Sequence, residues 1–137
     1  KSFINKNFAI KSIAYGLIGE NTIKKSSKNE LSLYLDVFTD YLIETIYKLA
    51  NSSTSGSITL KDVDVKDDIY IIKSEISDNK SSANLYWKVI NTGSSFKIID
   101  VIVENTSYFV TKKSEFSRIL RKNKGSLKSL ISEIQKK

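Results

Sequence analysis

The sequence predicts an α+β fold: N-terminal helices, a four-stranded twisted antiparallel sheet, then C-terminal helices that close over an apolar space. Three observations predict it. Apolar residues recur at helical spacing to about residue 50, at a spacing of two from about 57 to 104, and at helical spacing again to the C terminus. Short polar loops join the segments of period two, so consecutive strands form hairpins and the sheet is antiparallel. Helical and extended runs are segregated along the chain rather than alternating, as in α+β proteins. The 137 residues read as one domain, 1–137, long enough to bury a core.

Phe3, Phe8, Ile10, Ile13 and Leu17 predict a short helix over 2–19 that stops near Gly19, followed by a polar loop from Asn21 to Lys28. The strongest helix follows over about 28–50, preceded by Lys28 or Asn29. Leu31, Leu35, Phe38, Leu42, Ile46 and Leu49 mark its stripe, widened by Tyr34, Tyr41 and Ile43. The cluster from Asn51 to Ser57 (NSSTSGS) is a turn signal. Strands are expected over 57–65, 69–77, 83–91 and 96–104, separated by Lys66-Asp67-Asp68, by 78–81 (DNKS) and by 92–95 (TGSS). Alternation places Leu85, Trp87 and Val89 on one face of their strand, and Ile99, Val101 and Val103 opposite Phe96, Ile98 and Ile102 on the next. Phe109, Phe116, Ile119 and Leu120 then mark a helix that Gly125 ends. Ser126 caps a last helix whose Leu127, Leu130, Ile131 and Ile134 follow at i, i+3, i+4 and i+7.

Composition narrows the chemistry. The chain has no His, Cys, Met or Pro. A zinc centre needs His or Cys, and a Ser-His-Asp or Cys-His nucleophile needs His. An enzyme would have to work with Asp, Glu, Lys or Tyr alone, so the expectation is no catalytic residue, no metal and no cofactor. Asp100 lies inside an apolar strand and is expected to hold a structural hydrogen bond or ion pair, with Lys88 or Lys113 as candidate partners. Asp62, Asp64, Asp67 and Asp68 lack the glycine and terminal glutamate of a calcium loop and read as a solvated turn. No apolar run approaches the roughly 20 residues of a membrane span. The abrupt start at Lys1-Ser2-Phe3 reads as a processed or trimmed end.

The net charge of +7 is unevenly placed. Residues 1–104 hold thirteen basic and thirteen acidic side chains, whereas residues 105–137 hold nine basic ones against Glu115 and Glu133. That concentration predicts a directed basic surface on the last helices, with Lys112, Lys113, Arg118, Arg121 and Lys122 as its candidates for headgroup or partner contact. A solvated helix face is the competing reading. Only Arg118 and Arg121 are arginine, the preferred reader of base edges, so nucleic acid is not the expected partner.

From Leu85 onward the chain resembles the MlaC family, the periplasmic phospholipid carriers also known as toluene-tolerance auxiliary proteins. The residues that carry the resemblance are Leu85 to Val89 (LYWKV), Gly93 to Val101 (GSSFKIIDV), Ile102 to Ser107 (IVENTS) and Lys112 to Phe116 (KKSEF). They stand against family patterns of the type V-D-Y-R-L, G-x-W-K-V-Y-D-V, V-x-E-G-V-S and Y-R-x-x-F. Arg118 to Gly125 and Leu130-Ile131 follow the family's closing pattern, and Phe8 to Leu49 resembles its paired helices. Phe96 stands for the usual Trp, Ile99 for Tyr, Trp87-Lys88 for Tyr-Arg, Lys113 for Arg and Asn105 for Gly. Asparagine tolerates positive φ better than other non-glycine residues, so the same turn remains available.

The resemblance implies a lipid carrier with a twisted sheet and helices around an apolar lipid pocket. Phospholipid is its cargo, rather than a cofactor. Its partners would be an inner-membrane MCE/ABC transporter complex and an outer-membrane lipoprotein complex, met by a monomer in the periplasm. The pocket candidates are Phe38, Leu42 and Ile46 on the long helix, Trp87, Val101 and Val103 on the sheet, and Tyr108, Phe109, Val110, Phe116 and Leu120 beyond it. Apolar stripes are equally the material of a solid core, and the residues alone leave that reading standing. An NTF2-like α+β cone that binds or converts a small molecule is the alternative.

Overall fold

The structure, a computed structural model, describes residues 2–52, 57–77 and 81–136. It is α+β, with helices α1 (Ser2–Asn7), α2 (Ile10–Lys25) and α3 (Lys28–Ser52) ahead of the sheet and α4 (Tyr108–Lys122) and α5 (Leu127–Gln135) after it. The strands are β1 (Ser57–Lys66), β2 (Ile69–Ser77), β3 (Ser82–Asn91), β4 (Phe96–Val103) and β5 (Thr106–Ser107), paired in chain order as an antiparallel meander. The side chain of Leu49, the 53–56 part of the first turn cluster and the 78–80 loop, all singled out in the sequence, lie outside what the structure describes. No described helix is long and apolar enough to cross a membrane.

Three expectations change. The first helix is two. Helix α1 ends because Phe8 forms a bridge with Ile98 and the Ala9 amide donates to Ile98 O at 3.0 Å, ties that a continuous helix cannot make. Helix α2 does not stop at Gly19. It kinks there, at φ 82° and ψ 162°, and the residues read as a loop continue it to Lys25, with Thr22 buried. Only glycine takes that φ without strain, so the residue that reads as a stop acts as a hinge between two helical segments. The sheet has five strands rather than four. Glu104 (φ 48°) and Asn105 (φ 69°) make a two-residue turn of the type with two positive φ angles, which folds Thr106 back onto Val103 and Ser107 onto Ile102. A strand of two residues leaves no periodicity to read.

Local chemistry fixes the other boundaries. Helix α3 begins with a reciprocal capping box: the Glu30 amide donates to Ser27 Oγ at 3.1 Å and the Ser27 amide donates to Glu30 Oε1 at 2.9 Å. The cap is therefore Ser27, one residue before the positions the sequence suggested. These bonds to Ser27 hold the Glu30 carboxyl below its usual range. Helix α4 ends at a turn in which the Gly125 amide, at φ 81°, donates to Leu120 O at 2.7 Å. Ser126 Oγ caps α5 by accepting from the Ser129 amide at 3.2 Å.

The solid core lies within the helical layer. Leu17 and Ile18 of α2, Tyr34 and Phe38 of α3, Phe116 and Leu120 of α4 and the α5 stripe are all buried together. Phe38 and Phe116 meet edge to face, with centroids 6.4 Å apart at 88°. The Tyr34 hydroxyl donates to Ala14 O at 2.7 Å, and burial pushes its pKa well above the usual phenol value. Helices α1, α2 and α4 pack against β4, whereas β1 is exposed along its whole length.

Register explains which side chains share the sheet's faces. Paired residues across strands point the same way. Leu85, Trp87 and Val89 pair with Val103, Val101 and Ile98 on one side and with Ser74, Ile72 and Tyr70 on the other. The same face continues onto β1 through Leu60, Val63 and Val65. It is apolar almost throughout. A bulge at Ile99 corrects the alternation expected for β4. Lys88 pairs with Asp100 but Val89 pairs with Ile98, so Ile98 and Phe96 turn to the face of Val101 rather than away from it.

Candidate functional site

Where this apolar face meets the helices, a narrow cleft of about 60 Å³ remains, lined on its accessible surface by apolar atoms alone. Sheet residues Ile99, Val101 and Val103 form one wall, and Leu42, Thr45 and Ile46 of α3 form the other. Phe8, Ile13 of α2, and Tyr108 and Phe109 of α4 complete the lining, beside Asp100.

Six of the residues expected in the pocket are brought together here: Leu42, Ile46, Val101, Val103, Tyr108 and Phe109. The other five stand elsewhere. Phe38, Phe116 and Leu120 belong to the solid core of the helical layer, where Phe38 of α3 meets Phe116 of α4. Val110 is 63% exposed on the outer side of α4. Trp87 lies on the same sheet face one strand over, beside Val101, with its indole donating to Ser74 Oγ at 3.3 Å. The distinction between cleft and core was invisible in the sequence because both stripes are apolar at helical spacing. Phe8, Ile13, Thr45, Ile99 and Asp100 complete the lining and were not expected there. Alternation did place Ile99 with Val101 and Val103. Nothing local marks Thr45 or Phe8.

Asp100 positions the α4 end of the cleft. Its Oδ1 accepts from the Val101 amide at 2.8 Å and the Phe109 amide at 2.9 Å, and its Oδ2 accepts from the Ser107 hydroxyl. Ser107 Oγ in turn accepts from the Val110 amide at 3.0 Å and caps α4. One carboxylate thus joins the bulged strand to the first turn of the helix that carries Tyr108 and Phe109. This is the structural role expected of Asp100, met by hydrogen bonds to Ser107 and the backbone. Lys113, one suggested partner, instead donates to Gly16 O at 2.8 Å. The same approach of α4 to α2 sets the Phe109 ring 3.1 Å from where a β-carbon on Gly16 would sit, so a side chain there would have to push the ring by a few tenths of an ångström.

The basic candidates divide as well. The Lys112 ammonium turns inward, 3.1 Å from Glu115 and over the rings of Tyr41 (5.2 Å) and Tyr108 (5.7 Å). Burial works against its charge, but the Tyr41 hydroxyl and Glu115 outweigh that and raise its pKa. Lys112 and Lys113 therefore tie helices together, while Arg118, Arg121 and Lys122 remain exposed. Of the acidic residues on the β1–β2 hairpin, Asp64 pairs with Lys73 at 2.8 Å and Asp67 takes the positive-φ place in the turn.

Tyr108 carries an unsatisfied group. Its hydroxyl is buried and has no hydrogen-bond partner among the described residues. Thr45 lies beside it in the lining, and its hydroxyl, which donates to Tyr41 O at 2.9 Å, keeps lone pairs on the Tyr108 side and lowers the phenol pKa slightly against the burial. Burial, reinforced by Tyr41, pushes the Tyr108 phenol up to about 12. Tyr108→Phe removes a desolvated hydroxyl that nothing repays, so a thermal melt should show unchanged stability or a gain of up to about 1 kcal/mol. A loss of that size would show that the hydroxyl is bonded after all.

Comparison with known proteins places this arrangement. No curated protein matches the chain. Among solved structures, the phospholipid-binding protein of Ralstonia solanacearum, determined in complex with a phospholipid, superposes with a TM-score of 0.83 at 16% identity. The match covers 97% of this chain and 74% of that one, and at such identity it establishes a shared fold. The family model for the MlaC protein matches residues 1–136. From its first helix to its last, this chain belongs to the MlaC family.

Proposed function

We propose that the protein is a non-enzymatic carrier that holds the acyl tails of a phospholipid between the apolar sheet face and helix α3, and shuttles it through the periplasm between outer- and inner-membrane transport complexes. The observation that carries the reading is the unfinished burial of the sheet. The face that lines the cleft runs on, uncovered, through Leu60 (72% exposed), Val65 (58%) and Ile58 (60%). A chain that alternates apolar and polar residues this regularly is built to bury that face, and its own helices pack on the β4 side while β1 stays exposed along its length. Family membership and the phospholipid held by the Ralstonia protein point to the same occupant.

The energetics suit a carrier. A diacyl lipid has roughly 30 methylenes, each worth about 0.8 kcal/mol on burial, so bare passage through water costs on the order of 20 kcal/mol. The protein need only supply a dry surface and a means of opening. The cleft of about 60 Å³ holds roughly two water volumes, against the 300–1,000 Å³ usual for a ligand site. Binding must therefore separate β4 from α3. The solid core inside the helical layer lets the sheet move as the second body without unfolding the first. The NTF2-like alternative draws no support from the family match, and the lack of histidine leaves its enzymatic version without the commonest acid–base group.

The direct test is organic extraction and mass spectrometry of the protein purified from a diderm bacterium. About one phospholipid per chain is expected. A lipid-free protein that also fails to take up phospholipid from vesicles would overturn the reading.

A further inference from the structure

The chain path gathers positive charge that the sequence keeps apart. Helices α2 and α4 both start at β4, through Phe8 with Ile98 and Phe109 with Asp100, and lie side by side where Lys113 bonds Gly16 O. Helix α3 runs against them: Tyr34 reaches Ala14, Phe38 meets Phe116, and Ile46 reaches the cleft. The far end of the layer therefore collects the C-termini of α2 and α4 and the N-termini of α3 and α5. Lys24 and Lys25 end α2, and Lys28 opens α3. Arg121 and Lys122 end α4, Lys124 sits in the turn, and Lys128 lies in the first turn of α5. All are exposed, and among the described residues none has an acid within ion-pair distance. Glu30 is the acid closest to them along α3: its carboxylate is bonded by Ser27 and also feels the charge of Lys128, which it offsets in part. Glu20 stands one turn back on α2.

Ordinary helix electrostatics accounts for only part of this set. Cations at the ends of α2 and α4 complement the negative end of the helix dipole. Lys28 and Lys128 occupy first turns, where the dipole disfavours them and acids are the usual choice. Helix α5 has no acid in its first turn at all. A cluster kept against local helix preference calls for an opposing surface. Two features decide its class. Among the exposed large apolar side chains only Leu33, five residues into α3 and 49% exposed, lies near these helix ends, and a single leucine falls short of the apolar face that seats a helix in a bilayer interface. Further, α4 has 15 residues, which puts this end about 20 Å from the cleft. Docking on a membrane by it would hold the cleft away from the bilayer, whereas docking on a protein leaves the cleft free to open beside its donor or acceptor.

We propose that this end of the helical layer, built from Lys25, Lys28, Arg121, Lys122 and Lys128, docks on an acidic protein surface of the transport machinery. The inference rests on the carrier reading for the identity of that machinery, but its test does not depend on cargo. Binding is measured by biosensor to lipid discs that hold the cell's inner-membrane transporter complex, and to protein-free discs of phosphatidylcholine and phosphatidylglycerol. The unchanged chain should bind the loaded discs, more weakly as salt rises, and the Lys28→Glu/Lys122→Glu/Lys128→Glu variant should bind at least about tenfold more weakly. The variant should keep the lipid content and melting temperature of the unchanged chain, since all three side chains are exposed. Equal binding of chain and variant to the loaded discs would overturn the proposal. So would no binding by the unchanged chain, or an equal loss on the protein-free anionic discs, which would assign the surface to the membrane. Absence of lipid from the purified protein would count against the carrier reading and leave this measurement in place.

Discussion

Asp100→Ala should destabilise the protein by about 3 kcal/mol and lower its melting temperature by about 10 °C. The change removes the acceptor of the Val101 and Phe109 amides and of the Ser107 hydroxyl together. Hydrogen bonds to a charged acceptor contribute about 1.5–3 kcal/mol each, and deletion leaves donors that are partly shielded from water. The loss is not spread evenly. It falls where β4 meets α4, so Tyr108 and Phe109 lose the anchor that sets them in the cleft. Amide hydrogen exchange should therefore rise first in the opening turn of α4, with Phe116 and the α5 stripe still protected in the helical core. Lipid retention should fall along with it. Asp100→Asn preserves shape and one acceptor oxygen, and should cost less than half as much. If the alanine variant melted within about 1 kcal/mol of the unchanged chain, the carboxylate would not be the joint described here.

The second large effect separates the cleft from its surroundings. Val103→Glu should reduce phospholipid retention at least tenfold, a loss of about 1.4 kcal/mol of binding or more, because acyl tails cannot lie against an ionised carboxylate without desolvating it. Val103 is 41% exposed in the closed cleft, so the glutamate can reach water and the fold should survive without cargo. Val110→Glu is the control. Val110 is only seven residues along the chain, but it is 63% exposed and outside the cleft lining. Its variant should retain lipid like the unchanged chain. Both proteins would be compared by lipid phosphorus per chain after gel filtration, with circular dichroism to check folding. Equal retention in the two would refute the placement of the cargo between sheet and α3.

These two substitutions also mark how far the residues alone could lead. Asp100 was recognisable as structural because a carboxylate inside an apolar strand must be satisfied. Its partners were not, since Ser107 and Phe109 reach it only after the Glu104–Asn105 turn folds β5 back on β4. Val103 and Val110 are both valines near the same junction, and sequence gave no ground for separating them. The same holds for Leu42 and Phe38, one turn apart on α3: both are buried in the core, and only Leu42 also lines the cleft. The basic end of the helical layer was half visible. The charge count pointed to α4 and α5, but Lys24, Lys25 and Lys28 join them only through the antiparallel course of α3. Conversely, Lys112 and Lys113 counted toward that surface, but packing turned Lys112 inward to Glu115 and tied the exposed Lys113 to Gly16 O.

What the sequence by itself determined is therefore local or compositional. Helix and strand periods record which side of each element avoids water, so the α+β order, the hairpins, the Gly125 stop and the Ser126 cap could be read directly. Composition removed histidine and cysteine chemistry, and the motifs from Leu85 to Phe116 carried the family. The tertiary structure alone decided what each apolar face is buried against. Periodicity reports that a face is apolar but carries no information about what covers it. That depends on contacts between residues far apart in the chain: Phe8 with Ile98, Asp100 with Phe109, Phe38 with Phe116. Those contacts hold the helices together and to β4, and leave Val103 at the rim of β4 and Leu60, Val63 and Val65 on β1 for something else to cover.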